Sequence, residues 1–470
     1  MKLNYKRVIL VGMAFFLIMA FWQAYDAIVP LILTNHFGLP QTASGAIMAI
    51  DNVLAVFLLP IFGTLSDKLN TKWGKRTPFI LIGTLVAVVS FIVLTFVDNY
   101  QLAAVTGAGI PELTIEGATE EALTALRVER ALELTLANPL PLIGFIVTLL
   151  VVLLAMAVFR SPAVALMPDV TIKPLRSKAN AVINLTGTAG GILVLVLGMV
   201  FATSKNLYMR YTGYVAAVIG IMLLGLIVFL LFVKEKQWTK EMEDDSLALG
   251  LEEAPAEEIS ADARKLSKPE LRSLLLILAS VALWYIGYNS ITSKYSVYVA
   301  NHLPGFDFNF TLIIAQAAAI VSYIPVGFIS QKFGRRKTIL VGVAMLATAF
   351  GIGHFITVQT PEPLMYAVFA LAGIGWATIN VNSFPMVVEL ARGGNVGKYT
   401  GYYYTASMAA QIVAPVLSGL LYDLAGSMRP VFFIFGTVFV ALSFVTMFFV
   451  KHGDAQVIEK KSALEHLDVD

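Results

Sequence analysis

Long apolar stretches alternate with short polar segments along almost the whole chain. A helix of about 20 apolar residues crosses the hydrocarbon core of a bilayer, and the sequence contains twelve stretches of that kind. Their approximate bounds are 8–33, 43–66, 78–98, 140–166, 177–203, 211–233, 271–299, 310–331, 338–358, 364–388, 399–421 and 430–450. The pattern predicts an all-α membrane protein with twelve transmembrane helices.

The composition and the distribution of charge agree with this prediction. Hydrophobic residues make up 58% of the chain and charged residues 14%, whereas soluble proteins carry about 25% charged residues. The first apolar run is too long for a signal-peptide core and lacks a small-residue cleavage site, so we expect an uncleaved helix. Lysine and arginine are concentrated in alternate loops, and the positive-inside rule then places both termini in the cytoplasm. We expect an integral protein of the plasma membrane, with a weak preference for a bacterial inner membrane.

The chain repeats one loop. Residues 63–80 read GTLSDKLNTKWGKRTPFI and residues 327–337 read GFISQKFGRRK, each between two apolar runs. Gly74 corresponds to Gly334 at an offset of 260 residues, and Asp169 corresponds to Glu389 at an offset of 220. Such internal repeats are typical of carriers whose two halves enclose a shared central site. The sequence therefore predicts two pseudo-symmetric six-helix halves.

The domain organisation follows from the repeat and from the polar segments. Residues 1–234 form the first half, and residues 271–470 form the second half with a short cytoplasmic tail. Residues 235–270 are polar and acidic, which indicates a cytoplasmic linker with a short amphipathic helix. The first half carries an insert at 99–139, expected to form an amphipathic helix on the outer face. The sequence leaves open whether this insert is surface decoration or a lid over the outer entrance.

These loops resemble a known signature. Gly63, Ser66 and Asp67, followed by Gly74-Lys75-Arg76, resemble the loop motif of the major facilitator superfamily. The strings SDK…T…WGKRTPFI, RSPAVALMPD at 160–169 and Ala-Asn-Ala at 179–181 are similar to sucrose–proton symporters, which belong with the glycoside–pentoside–hexuronide carriers. The resemblance implies alternating access and ties Arg160 to substrate and proton coupling.

The loop residues are candidates for an interdomain latch. Asp67 would cap or salt-bridge a helix of the other half when the inner side is closed; the alternative is that the cluster only sets topology. Asp169 and Glu389 are interpreted as symmetry-related gate or capping carboxylates. The full set of gate candidates is Gly63, Asp67, Gly74, Lys75, Arg76, Asp169, Arg176, Gly334, Arg335, Arg336 and Glu389.

Three charged residues lie deep inside predicted spans: Asp26, Asp51 and Arg160. A charge at the bilayer centre costs roughly 2.5–3.5 kcal/mol on insertion scales, so such groups normally face an interior cavity. We predict proton coupling by Asp26 or Asp51 from burial alone, because the sucrose carriers have apolar or small residues at these two positions. The alternatives are packing hydrogen bonds for the acids and a structural salt bridge or snorkelling for Arg160. Lys294, near the outer end of its span, is expected to snorkel.

Amide and aromatic side chains in the spans indicate a neutral polyhydroxylated substrate. Amides both donate to and accept from hydroxyl groups, and Trp and Tyr supply flat apolar area with a polar tip. For any single residue, packing between helices is the competing interpretation. The predicted substrate-binding residues are Trp22, Gln23, Asn52, Trp284, Tyr288, Asn289, Gln316, Asn380, Asn382 and Gln411.

The motifs that are missing narrow the function further. The sequence has no Walker A motif, no clustered histidines, no cysteine and no G-x-S-x-G elbow, so we expect neither an enzyme nor a metal site, and no cofactor beyond a coupling ion. Nucleic-acid binding is not expected, and the partners are a sugar and the lipid bilayer, with the protein a monomer. The predicted function is proton-coupled symport of a di- or oligosaccharide or glucoside. Sodium coupling, efflux of another small solute and a non-transporting sugar receptor are the alternatives.

Overall fold

The computed structural model describes residues 3–172, 175–249, 266–390 and 396–453. Within these ranges there are fifteen α-helices and no β-strand beyond one isolated bridge at Thr71 and Gly74. The helices are α1 (Tyr5–Leu31), α2 (Gln41–Lys68), α3 (Thr77–Gly107), α4 (Glu120–Ala137), α5 (Leu140–Asp169), α6 (Arg176–Val200), α7 (Thr212–Phe232), α8 (Glu235–Ala248), α9 (Lys268–Thr292), α10 (Tyr295–His302), α11 (Phe308–Phe333), α12 (Arg335–Gly353), α13 (Glu362–Glu389), α14 (Val396–Leu424) and α15 (Phe432–Phe448). A π-helical turn at Ile32–His36 continues α1.

The prediction of twelve spans is confirmed. In the described part of the chain, eleven helices are long and apolar enough to cross a membrane, and the shorter apolar helix α15 completes the set. The predicted end of the third span at residue 98 is wrong, because α3 continues to Gly107. Its polar extension is stabilised by Gln101, whose Nε2 donates to the His36 carbonyl at 3.0 Å and to Thr135 Oγ1 at 2.9 Å. The seventh span is interrupted after Thr292 and resumes as α10.

The two halves repeat the same helix pairings. In the first half α1 packs on α6 and α7, and α3 packs on α5. In the second half α9 packs on α14 and α15, and α12 packs on α13. The halves meet mainly where α2 crosses α14 and where α6 crosses α11. This pairing confirms the predicted pseudo-symmetric architecture and leaves a central space between the halves.

The bundle is closed at one end and open at the other. We call the side that carries Asn4 and Gly453 the terminal face and the opposite side the far face. Near the far face α2 and α14 touch backbone to backbone, since a Cβ on Gly45 would lie 2.0 Å from the Pro415 carbonyl oxygen. Near the terminal face, a Cβ on Gly401 of α14 would meet no atom of the described chain within 4 Å. In the described part of the chain, α5 and α6 also make no extensive contact with α13 or α14, so the central space opens toward the terminal face.

Two helices outside the membrane spans pack on the first half. At the far face α4 lies over Gly38, where a Cβ would come within 2.2 Å of the Leu132 backbone nitrogen. Gly38 also has φ +68°, a conformation that favours glycine. At the terminal face α8 forms the start of the predicted linker, and Arg7 contacts it through Glu241 at 2.5 Å and the Trp238 ring at 4.8 Å. The rest of that linker, 250–265, lies outside the described residues.

Candidate substrate and coupling site

Two adjoining cavities occupy the centre of the bundle. The larger, of about 380 Å³, is lined mainly by the second half, including Tyr288, Gln316 and Trp376. The smaller, of about 260 Å³, is lined mainly by the first half. Met19, Asp26, Asn289 and Thr292 line both cavities. Two residues from each half therefore stand at the boundary between the two spaces.

The three charged residues predicted in the spans come together at the smaller cavity. Asp26, Asp51 and Arg160 all line it. Asp51 accepts a hydrogen bond from Asn52 Nδ2 at 2.7 Å, and the Arg160 guanidinium carbon lies 5.7 Å from the centre of the Trp22 ring. Within the described part of the chain Asp26 makes no hydrogen bond or ion pair, and Arg160 and Asp51 form no ion pair within 4 Å. Asp26 is thus a carboxyl group directed at open space.

Amide side chains join the halves at the same level. Gln316 Nε2 on α11 donates to Gln23 Oε1 on α1 at 2.8 Å, and Gln316 Oε1 is buried without a hydrogen-bond partner. Asn289 Nδ2 donates to the Tyr285 carbonyl at 2.8 Å, and Gln411 Nε2 donates to the Ser407 carbonyl at 3.2 Å. These amides present polar groups to a ligand without needing a charge.

An aromatic platform forms one wall of the larger cavity. The rings of Tyr288 and Trp376 stack with centroids 3.7 Å apart and planes 8° apart, and Tyr285 meets Trp376 edge-on at 5.3 Å. Trp376 is not among the residues predicted from the sequence, although it lies one helical turn before the predicted Asn380. Four further residues that line the same cavity are also absent from that prediction: Tyr323, Thr188, Thr292 and Ser296.

Three predicted substrate-binding residues do not reach either cavity. Trp284 is 0% exposed within the core of the second half. Asn382 Nδ2 donates to the Thr378 carbonyl at 2.9 Å and is buried, and Asn380 Nδ2 donates to the Trp376 carbonyl at 3.0 Å. Residues two apart on a helix point about 200° from each other, so Asn380 and Asn382 could not both face one cavity.

The predicted latch residues of the first half form a compact network at the terminal face. Arg76 donates through Nε to Asp169 at 2.7 Å and through Nη2 to Asp67 at 2.5 Å, and its Nη1 also bonds Ser66. Burial opposes the charge on Arg76, but hydrogen bonds and attraction from Asp169 and then Asp67 outweigh it and raise the pKa of Arg76. In this terminal-open arrangement Asp67 is paired inside its own half. The predicted contact of Asp67 with the other half stays a prediction for the closed arrangement.

The second copy repeats the network with a shift of one residue. Arg335, which corresponds in sequence to Lys75, lies with Nη1 3.3 Å from Glu389, whereas Arg336 donates to the Phe448 carbonyl. Gly74 and Gly334 both have positive φ, 114° and 91°, in the turns that place these basic residues. Arg176 stabilises the neighbouring turn, because its guanidinium donates to the Thr171 and Pro168 carbonyls at 3.1 and 3.2 Å.

The linker helix completes the first loop. The carboxylate of Glu235 accepts from the backbone N–H groups of Lys75, Arg76 and Thr77 at 2.6–2.8 Å and from Thr77 Oγ1 at 2.7 Å. A side chain on Gly74 would collide with this carboxylate, because its Cβ would lie 2.2 Å from Glu235 Cδ. An acidic group at a helix N-terminus satisfies free N–H groups and complements the helix dipole. Glu235 therefore fixes the beginning of α3.

A separate set of contacts closes the far face. Asp423 of α14 accepts from the backbone N–H groups of Gln41 and Thr42 at 2.8 and 2.7 Å. The Lys294 ammonium donates to the backbone and side-chain oxygens of Gln41, both at 2.8 Å. The expectation that Lys294 snorkels is wrong: its side chain is buried, because the start of α2 supplies two acceptors and Asp423 a nearby negative charge. We call Gln41, Thr42, Lys294 and Asp423 the far gate.

The inserted helix α4 extends this closure. Glu121 receives a hydrogen bond from Ser427 Oγ at 2.7 Å and lies 3.1 Å from His302 Nδ1 and 3.8 Å from Arg429 Nη1. All three partners belong to the second half, whereas α4 itself packs on the first. The insert therefore bridges the two halves at the far face.

Comparison with known proteins agrees with this architecture. The family model described as MFS/sugar transport protein matches residues 10–109, and the one described as Major Facilitator Superfamily matches residues 277–466. An uncharacterized MFS-type transporter of Schizosaccharomyces pombe is 28% identical over 134 residues, which is 28% of this chain and 28% of that protein. The MFS-type transporter ppzB of Metarhizium rileyi is 27% identical over 149 residues, 32% of this chain and 28% of ppzB. The chain thus spans little more than a quarter of the length of these curated relatives.

Solved structures share the fold over nearly the whole chain. The inward-open xylose transporter XylE from E. coli has a TM-score of 0.61 at 13% identity, covering 99% of each chain. A POT family transporter in complex with 5-aminolevulinic acid has a TM-score of 0.63 at 11% identity, covering 94% of this chain and 95% of that one. Identities this low show a common fold. A family model of the major facilitator type thus matches within each half of the twelve-span bundle.

Proposed function

We propose that the protein is a secondary active transporter that carries a neutral sugar together with a proton by alternating access. The observation that carries the proposal is the pair of cavities between the halves, both reached by the unpaired Asp26. Closure at the far gate and opening at the terminal face correspond to one end state of such a cycle. With the terminal face in the cytoplasm of a plasma membrane, this is the inward-open state.

The lining favours a sugar as substrate. Arg160 is the one cationic side chain lining the two cavities in the described part of the chain, whereas an anionic substrate would call for more. The Gln23–Gln316 pair can exchange hydrogen bonds with hydroxyl groups, and the Tyr288–Trp376 platform offers a flat surface to an apolar ring face. A di- or oligosaccharide or glucoside is consistent with the combined size of the cavities and with the resemblance to glycoside carriers.

Coupling is assigned to the carboxyl groups at the smaller cavity. A proton taken up from the far side by Asp26 or Asp51 neutralises a charge that is unfavourable at mid-membrane. Substrate then binds beside the neutral acid, the far gate closes, and sugar and proton leave through the terminal face. Arg160 would draw the proton off by stabilising the ionised Asp51.

Similar proteins support the proposal that the substrate is a sugar. The structural neighbours include a D-xylose–proton symporter and the nucleoside transporter NupG. One matching family model carries sugar transport in its description. The assignment to glycoside–pentoside–hexuronide carriers rests on the loop strings and on the motif around Arg160.

The test is transport by the purified protein in liposomes. Labelled sucrose and maltose uptake is measured with an imposed inward proton gradient and, separately, with a sodium gradient alone. Accumulation driven only by protons is the expected result, and a protonophore should abolish it. Accumulation driven by sodium would refute proton coupling, and the absence of uptake with both ions would refute sugar symport for these substrates.

A further inference from the structure

A groove of about 470 Å³ opens at the terminal face, away from the central cavities. It lies between the beginning of α3 and the end of α7, next to the first residues of α8. Three lysines line it, Lys72, Lys234 and Lys236, together with Trp73. We call this feature the basic groove.

The floor of the basic groove is apolar and belongs to membrane-spanning helices. Leu81 of α3 and Leu230 of α7 line it, with Val233 at the end of α7. Leu230 is 39% exposed and Trp73 is 51% exposed. Tryptophan is enriched where hydrocarbon meets the headgroup layer. The groove therefore faces both acyl chains and headgroups.

The three lysines of the basic groove are available to a ligand. Each is exposed, and within the described part of the chain none forms an ion pair or hydrogen bond. The one acidic group of the lining, Glu235, is 2% exposed and accepts four hydrogen bonds from the start of α3. Its charge is directed away from the groove, so the rim is positive.

We propose that the basic groove binds an anionic phospholipid of the leaflet at the terminal face. The phosphate would lie among the three lysines, and an acyl chain would run along Leu81, Leu230 and Val233. Basic pockets between membrane helices bind anionic headgroups through the same combination of charge and adjoining hydrocarbon surface. A water-soluble acidic ligand would leave the apolar floor and the exposed Trp73 uncovered. The proposal requires a membrane-spanning bundle and does not depend on the transported substrate.

The test compares two lipids that differ only in headgroup. Purified full-length protein is equilibrated in micelles with equal amounts of phosphatidylglycerol and phosphatidylcholine of the same acyl chains, and retained lipid is counted by native mass spectrometry. The test variant is Lys72→Gln/Lys234→Gln/Lys236→Gln. The control variant, Lys240→Gln/Lys268→Gln/Lys451→Gln, removes three exposed lysines that do not line the groove.

We expect the wild type and the control variant to retain more phosphatidylglycerol than phosphatidylcholine. In the test variant the ratio of the two retained lipids should fall by about tenfold or more, because each lysine near an anionic surface contributes about fivefold. High salt should reduce the wild-type preference. The proposal is overturned if the wild type does not discriminate, or if the test variant keeps its preference. Equal loss in both variants would overturn it too, because net charge alone would then explain binding. If the triple variant is not monodisperse, Lys234→Gln and Lys236→Gln are measured singly with the same criteria.

Discussion

Asp26 and Asp51 differ in their surroundings although both lie on the first two helices. Asp51 accepts a hydrogen bond from Asn52 and shares its cavity with Arg160. Asp26 has no hydrogen-bond partner in the described chain and reaches the larger cavity as well. In the proposed cycle, a proton on Asp26 would therefore change the charge directly beside the bound sugar. A proton on Asp51 would act through Arg160 instead.

Replacing both acids should separate coupling from binding. In Asp26→Asn/Asp51→Asn the neutral amides imitate the protonated acids, so the carrier should cycle with sugar but without moving a proton. Accumulation should fall to a ratio of about one, and sugar exchange should persist. Gradient-driven uptake and counterflow in the same liposomes measure the two quantities. Accumulation that survived in the double variant would contradict the assignment of coupling to these acids.

Two tryptophans of the second half should behave differently. Trp376 lines the larger cavity and stacks on Tyr288, whereas Trp284 is enclosed in the core. Trp376→Ala should raise KM for the sugar roughly tenfold, since aromatic stacking contributes about 0.5–1.5 kcal/mol beyond area burial. Trp284→Ala should instead lower Tm, because truncating a buried Trp costs about 3–5 kcal/mol. Uptake kinetics and thermal unfolding distinguish the two, and an unchanged KM in Trp376→Ala would remove the platform from the binding site.

At the scale of elements, α4 is the helix that distinguishes the first half from the second. The repeat has no counterpart for the 99–139 insert. The structure seats α4 on Gly38 and joins it to the second half through Glu121. Of the two interpretations open from the sequence, this position fits a cover at the far entrance, because contacts with both halves must change when the far gate opens.

Removing the charge of Glu121 should loosen the far face. Glu121→Gln removes the ion pair with Arg429, and a partly exposed ion pair contributes about 0.2–1 kcal/mol. A cysteine at Thr292, a cavity-lining position in a chain with no cysteine, should then react about two- to fivefold faster with an impermeant maleimide added at the far side. Glu116→Gln, on an exposed part of the same insert, is the control. Equal rates in the two variants would show that α4 does not hold the gate.

At the scale of the whole molecule, the crossing of α2 and α14 decides which end is closed. Their backbones meet at Gly45 and Gly419 near the far face, whereas a Cβ on Gly401 near the terminal face would meet no atom of the described chain within 4 Å. Closing the far face therefore requires glycine at the positions where the two helices cross. Small residues allow close packing of this kind in membrane helices.

A side chain at the far crossing should keep the far face open. Gly45→Leu would clash with the Pro415 backbone, so the far-closed state should become unfavourable and transport should stop. The cysteine at Thr292 should then be labelled from the far side at a much higher rate, while the protein stays monodisperse. Gly401→Leu enters open space in the present state and should leave far-side labelling unchanged. Low far-side labelling in Gly45→Leu would refute the role of this crossing in closure.

The sequence by itself determined the number of spans, the two halves and the residues that carry charge inside the membrane. These properties depend on the length of each apolar stretch and on the loop motifs, and both are features of consecutive residues. Side-chain direction is less local, because a shift of two residues turns a side chain to the opposite side of a helix. Residues one turn apart share a helix face, yet Tyr288 lines the larger cavity and Trp284 does not. Likewise Trp376 lines it and Asn380 does not. Depth along the helix and the neighbouring helices decide this, and neither can be read from the periodicity of the sequence.

Only the tertiary structure decided the contacts between distant segments. Lys294 is buried because Gln41, more than 250 positions away in sequence, supplies both acceptors. Glu235 belongs to the linker by composition, yet its carboxylate fixes the start of α3. Glu121 joins the halves because α4 is seated on Gly38. Each of these contacts depends on how helices from different parts of the chain pack, and a buried polar group takes whichever partner that packing provides.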